Sequence, residues 1–247
     1  MSRVPSRHLV LLTLAAASCG GALAPTEAIS APSAMSERQP ARPPAFLASA
    51  VRAVAAPELC VSTGRVDAAG ASSRLHVDSG AMRAVVAGDD SSVAELDFTY
   101  HGPSTQTAPL ASGELRRQIG LKLRAKDTCN VVYVMWHVAP DDGIAVSVKN
   151  NPGKSTHEAC GDQGYIFVQP ATRGPLPSLR PNERHLLRSE VSGTTLRVLV
   201  DGAVVWAGPL PSPAFTFNGP AGIRSDNGMF DFDLRVVQPR ATGARCR

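Results

Sequence analysis

Aromatic residues are scarce in this chain, at 5% of 247 residues. Neither sign of charge dominates. The 25 Lys and Arg against 21 Asp and Glu leave a formal charge of +4, too weak to point to nucleic acid. No apolar run is long enough to cross a bilayer: the longest, residues 9–17, falls well short of the ~20 residues a spanning helix needs. No window carries a sustained helical period, and no internal repeat is present, so bundles, propellers and solenoids are set aside. The catalytic signatures G-x-S-x-G and H-E-x-x-H, the P-loop and the EF-hand loop are all missing. There is no C-x-x-C pair, so the five cysteines do not read as a zinc site.

What is present begins with an address. Arg3 and Arg7 precede the apolar residues 9–17, the basic and hydrophobic regions of a secretory signal. Ala16-Ala17-Ser18-Cys19 then resembles a bacterial lipobox. That resemblance implies a diacylated Cys19 as the mature N-terminus. Gly20 in the following position, in place of Asp, implies the outer membrane. Ordinary cleavage after Ala24, giving a secreted protein, is the alternative. Residues 20–57 are rich in Ala, Pro, Ser and Arg without periodicity and read as a tether. The expected organisation is a signal peptide at 1–18, a lipid-anchored linker at 19–57 and one β-sandwich at 58–247.

From residue 59 onward short β-rich runs alternate with turn clusters. The runs are 75–77, 82–87, 93–100, 115–124, 130–138, 144–149, 165–168, 184–191, 195–200, 204–206 and 229–237. Gly, Asn and Asp clusters punctuate them, among them Asp201-Gly202 and Asp226-Asn227-Gly228. This spacing predicts an all-β antiparallel sandwich or barrel. Asp201-Gly202 between two alternating runs is a strong hairpin signal.

Residues 195–208 and 219–233 together resemble the concanavalin A-like jelly rolls of lectins, laminin-G-like modules and glucanases. They match a late L-x-V-x-x-D-G-x-x-V-W hairpin and a closing G-x-x-G-I-R-S-x-N segment. The resemblance implies an antiparallel jelly-roll β-sandwich, and folds of this kind host many activities. The acidic E-x-D-x-E strand of the glucanases is missing, and no pair of carboxyl groups for glycoside hydrolysis stands out.

With Cys19 assigned to lipid, four cysteines remain, and an exported chain favours disulfides. The expected pairs are Cys60–Cys246, because jelly rolls bring their terminal strands together, and Cys129–Cys160, which would pin the Asn150 loop.

Period-two alternation sorts the strands into faces. Trp136 alternates with Val132, Val134 and Val138 and reads as core, as does Trp206. If the strands share one sheet, its open face carries Glu95, Asp97, Gln118, Lys122, Tyr133, His137, Lys149, Arg188 and Glu190. Such a face suits a glycan, with Tyr133 stacking on a sugar and the others bonding hydroxyls or carboxylates. It equally suits a solvated surface laced with cross-strand ion pairs. A second patch is the long polar loop and its exit, with Asn150, Asn151, Lys154, His157, Asp162 and Tyr165. Asp162 and nearby carbonyls are the one place where Ca²⁺ would fit, and no other cofactor is expected.

Three functions follow from these features. The first is a non-catalytic module, lipid-anchored at Cys19, binding a glycan or surface polymer. The second is a polysaccharide lyase acting on uronates. Arg188-Ser189-Glu190-Val191 resembles the R-[ST]-E-[LV] strand of jelly-roll lyases, and Gln118-Ile119-Gly120 resembles their Q-I-H without its His. That resemblance implies catalysis by His137, Tyr133, Gln118 and Arg188. The third is a structural envelope lipoprotein.

Overall fold

The computed structural model describes residues 51–70 and 74–237; Cys19, Cys246, the expected signal peptide and most of the expected linker lie outside them. Among the described residues fourteen strands run in chain order. They are β1 (Val51–Ala53), β2 (Leu59–Thr63), β3 (Asp67–Ala68), β4 (Leu75–Val86), β5 (Val93–Pro103), β6 (Arg117–Leu123) and β7 (Val131–Ala139). Then come β8 (Gly143–Lys149), β9 (Tyr165–Val168), β10 (Thr172–Arg173), β11 (Arg184–Ser192), β12 (Thr195–Val200), β13 (Ala203–Pro209) and β14 (Gly222–Val237). One helical turn, α1 (His157–Cys160), precedes β9.

All pairings are antiparallel, in the order β10-β13-β12-β11-β5-β14-β6-β7-β8-β9, with β4 alongside β14. β14 is the hinge of the fold. Its first part pairs with β6 (Ile223↔Leu121), its second with β5 (Phe232↔Phe98), and β4 follows it along both. The strand changes sheet at Asn227, whose φ of 55° bends it. Asp226-Asn227-Gly228, expected as a turn, is therefore a kink inside a continuous strand. Pairing on both flanks prevents the reversal that those residues favour in isolation.

The result is a jelly-roll β-sandwich. One sheet is β10, β13, β12, β11, β5 and the end of β14; the other is the start of β14 with β6, β7, β8 and β9. Their inner faces meet in an aliphatic core. Phe98 of one sheet meets Trp136 of the other edge-on, ring centroids 5.7 Å apart, a favoured arrangement for aromatic pairs. Trp136 and Trp206 are both buried, as alternation predicts.

Local chemistry fixes the connections. The β12–β13 turn has φ of 50° at Asp201 and 84° at Gly202, the double positive φ that Asp-Gly supports in a two-residue hairpin. β1 lies within the segment expected as tether, where Val51 pairs with Val237 at the end of β14. Cys129 and Cys160 form the expected disulfide, tying α1 to the start of β7. Cys60 is also disulfide-bonded.

Candidate functional site

Strand order divides the polar residues that alternation had placed on one face. β5 and β11 pair with each other in one sheet, whereas β6, β7 and β8 lie in the other. Glu95, Asp97, Arg188 and Glu190 therefore sit on the opposite exterior of the sandwich from Gln118, Lys122, Tyr133, His137 and Lys149. The two groups differ in kind.

On the β5–β11 exterior the charges are closed on one another. Arg188 donates to Glu95 and, at 2.6 Å, to Glu190. Arg184 holds Asp97 with two bonds of 2.7 and 2.6 Å, and Arg235 reaches the same carboxylate at 3.3 Å. Here the ion-pair reading holds. It also removes Arg188 from the proposed lyase constellation, since a whole sandwich separates it from His137 and Tyr133.

The β6–β9 exterior is different. Its outward residues come from successive cross-strand rows. Gly222, Lys122, Tyr133, Ser147 and Phe167 make one row. Asp226, Gln118 and His137 make another, and Arg83, Arg224, Gly120 and Met135 lie between them. Gly120 and Gly222 put no side chain among the cations. At Gly120 a Cβ would stand 2.1 Å from the Val134 carbonyl oxygen, so the close strand approach there requires glycine.

One carboxylate organises the cations. Asp226, 1% exposed, receives Arg83 at 2.5 Å, Arg224 Nε at 2.9 Å and Gln118 Nε2 at 2.6 Å. Burial opposes its ionisation, but the two guanidiniums outweigh that and hold it below the usual carboxylate range. Arg224 lies 4.9 Å from the Tyr133 ring centroid, a cation–π distance. Lys122 is 5% exposed and has no hydrogen-bond or ion-pair partner among the described residues. Burial, with Arg83 and Arg224 close by, pushes its pKa down to about 8. Lys149 is 2% exposed, donates to the Gly161 carbonyl at 2.5 Å and packs 5.3 Å from the Tyr165 ring.

Three rings step outward from this cluster. Tyr133 and Tyr165 stack with centroids 6.3 Å apart, and Tyr165 and Phe167 stack at 6.2 Å. Tyr133 is buried, Tyr165 is half-buried and Phe167 is 70% exposed. Tyr165, expected in the loop patch, belongs to this ladder.

The rest of that patch lies in the loop between β8 and β9 and in α1. Asn150 bonds Pro213 and Thr216, and Asn151 bonds Cys129 and Gln163. His157 is an exposed residue opening α1, and Asp162 accepts a bond from Gln163 at 2.9 Å. No group of three or more His, Cys, Asp or Glu placed to hold a metal ion occurs among the described residues. Two cavities border other residues than this cluster, the first of them at the start of β8. One is bordered by Trp206, Arg173 and Ile144, the other by His76, His101 and Asp231.

His137 lies 3.4 Å from Arg116 through Nε2. Burial, reinforced by Arg116, pushes its pKa down to about 4. It is neutral at pH 7, and an NMR titration of its imidazole is expected to show a midpoint near that value. A midpoint near ~6.5 would contradict the placement. Because the unfolded chain protonates first, His137 lowers stability progressively as pH falls below the ordinary imidazole range.

Arg83, Arg224, Asp226 and Phe167 were not among the residues read from sequence. Arg224 and Asp226 share a strand face by alternation, and so do Tyr165 and Phe167. That signal was open to reading, but Asp226-Asn227-Gly228 reads locally as a turn. Arg83 had no such signal, because its place beside Arg224 depends on the β4–β14 pairing.

No protein-family model matches the chain, and no curated protein is similar to it in sequence. Its likeness is to solved jelly rolls. The carbohydrate-binding module CBM66 from Bacillus subtilis is 14% identical, with 71% of this chain and 91% of that one covered and a TM-score of 0.48. SCLam, a non-specific endo-β-1,3(4)-glucanase of family GH16, is 9% identical over 78% of this chain and 94% of that one, at 0.44. The metal-free carbohydrate recognition domain of Emp46p is 8% identical over 72% and 87%, also at 0.44.

Proposed function

We propose that the protein is a non-catalytic carbohydrate-binding module, exported and held to the outer membrane through Cys19, that uses the outward face of β6–β9. The observation that carries this reading is the ladder of Tyr133, Tyr165 and Phe167 beside Gln118, Lys122 and Lys149. Aromatic faces offer flat apolar area at low entropic cost, and the polar neighbours fix orientation. An exposed phenylalanine at the end of a stack leaves apolar surface for a partner to cover.

The same face supports binding over catalysis. Its one carboxylate among the named side chains, Asp226, is held by two arginines and Gln118, whereas glycoside hydrolysis needs two carboxyl groups flanking the bond. His137, with its low pKa and Arg116 beside Nε2, is a weak base for uronate elimination.

The test is a glycan and polysaccharide panel on the full chain, with absorbance at the unsaturated-uronate band recorded in parallel. Phe167→Ala is expected to reduce affinity for the bound glycan at least tenfold. Because Phe167 is 70% exposed, stability should change by no more than ~0.5 kcal/mol. Unaltered binding in Phe167→Ala would move the site off this face, and product formation would make the protein a lyase.

A further inference from the structure

We infer that the glycan is acidic, and that Lys122, flanked by Arg83 and Arg224, receives its carboxylate or sulfate groups. This rests on the carbohydrate-binding reading and names the chemical class of its ligand.

The first ground is charge balance on one face. Arg83, Lys122, Arg224 and Lys149 converge there, and Asp226 closes on the two arginines only. Lys149 has a carbonyl acceptor at Gly161. Lys122 has no acceptor among the described residues although it is 5% exposed. The Lys122 ammonium is not among the fully buried polar atoms that lack a partner, so it stands where an anion can reach it, and an ammonium so far desolvated without an acceptor is costly. A partner that brings an anion offsets that cost on binding.

The second ground is the contrast with the opposite exterior. There Arg188, Arg184 and Arg235 each meet Glu95, Glu190 or Asp97. The chain closes its cations with acids where the surface is merely solvated. On the β6–β9 face it leaves one open, next to a stack of rings.

The third ground is spacing. Lys122, Tyr133, Ser147 and Phe167 occupy consecutive strands in one row. Lys122 and Phe167 are thus three strand spacings apart, about 14 Å. That length suits several linked sugars, one stacking on Phe167 and Tyr165 while an acidic neighbour reaches Lys122.

The experiment is calorimetric titration of the full chain with two matched pairs. One pair is an oligogalacturonate and its fully methyl-esterified form; the other is a sulfated oligosaccharide and its unsulfated parent. We expect at least one acidic member to bind tenfold or more tighter than its neutral partner, and added salt to erode the difference. The pair showing the preference identifies carboxylate or sulfate. Lys122→Met is expected to abolish the preference while raising Tm by about 2–4 °C, because it removes a desolvated charge. Lys122→Gln should abolish the preference as well, and serves if the Met variant does not fold. Equal binding of acidic and neutral members, lost in Phe167→Ala but kept in Lys122→Met, would overturn the acidic ligand and leave the carbohydrate reading standing. A lower Tm in Lys122→Met with the preference intact would make the lysine structural. Binding to no member of either pair would overturn the inference, while the wider glycan panel would still decide the reading beneath it.

Discussion

Replacing Asp226 by Asn is expected to lower the free energy of unfolding by about 3–5 kcal/mol, the cost of breaking a buried ion pair from one side. The variant keeps the shape of the residue and loses only the charge. Arg83, Arg224 and Lys122 would then crowd one sheet face, largely desolvated, without a carboxylate among them. Urea denaturation at pH 7 measures this, and an unchanged m-value would show that the native fold persists. A loss below about 1 kcal/mol would mean that the arginines find solvent more easily than their burial implies. Adding Lys122→Met to Asp226→Asn should recover part of the loss, since Lys122 lies close to Arg83 and Arg224 and its removal relieves their mutual repulsion.

The same residue sets an acid limb. The folded-state pKa of Asp226 lies below its ordinary value, because Arg224 and Arg83 outweigh burial. Its stabilisation is therefore complete above the ordinary carboxylate range and is lost as pH falls through the lower folded value. The wild type should lose stability across that window, and Asp226→Asn should lose less of it. Identical acid limbs in the two proteins would show that other groups govern acid unfolding.

Removing the Cys129–Cys160 bridge, as the double alanine variant, is expected to cost about 3–4 kcal/mol. The bond closes a loop with a sequence separation of 31, and chain-entropy arguments give that order for such a loop. The effect should be focused as well as large. Asn151 and Lys149 bond into the same loop through Gln163 and Gly161, so hydrogen-exchange protection should fall across residues 150–164 while the β4–β14 core stays protected. Loss of Gly161 as acceptor would also free the Lys149 ammonium beside Tyr165. Uniform loss of protection across the sandwich would instead mean that the bridge anchors the whole fold.

Much of the architecture was open to reading from the chain. Alternation at β7 put Trp136 inside and Tyr133 outside, and both stand there. Asp201-Gly202 made its hairpin. Gln118, Lys122, Tyr133, His137 and Lys149 were grouped on one face, and that grouping holds because β6, β7 and β8 are neighbours in sequence that pair in order. Arg188, Glu190, Glu95 and Asp97 were grouped with them because alternation gives a face without saying of which sheet. β5 pairs with β11 across a separation of 93 residues from Glu95 to Arg188, and no local pattern encodes that.

The cluster at Asp226 shows the other limit. Arg83 comes from β4 and Arg224 from β14, and they meet only because those strands, 141 positions apart at these residues, pair side by side in the sheet. The kink at Asn227 looked like a chain reversal, because a left-handed residue beside glycine favours one. Hydrogen bonding to β4 and β6 on its flanks decides otherwise.

By itself, then, the sequence determined strand content, inward and outward faces, turn positions such as Asp201-Gly202 but not the one expected at Asp226-Asn227-Gly228, and the Cys129–Cys160 pair. These depend on interactions between residues close along the chain, or on the side-chain period of two. The tertiary structure alone decided which faces share a sheet, and so which charges are closed and which stand open. That choice follows from burying two apolar faces against each other over long separations, a condition satisfied by the chain as a whole and by no segment of it.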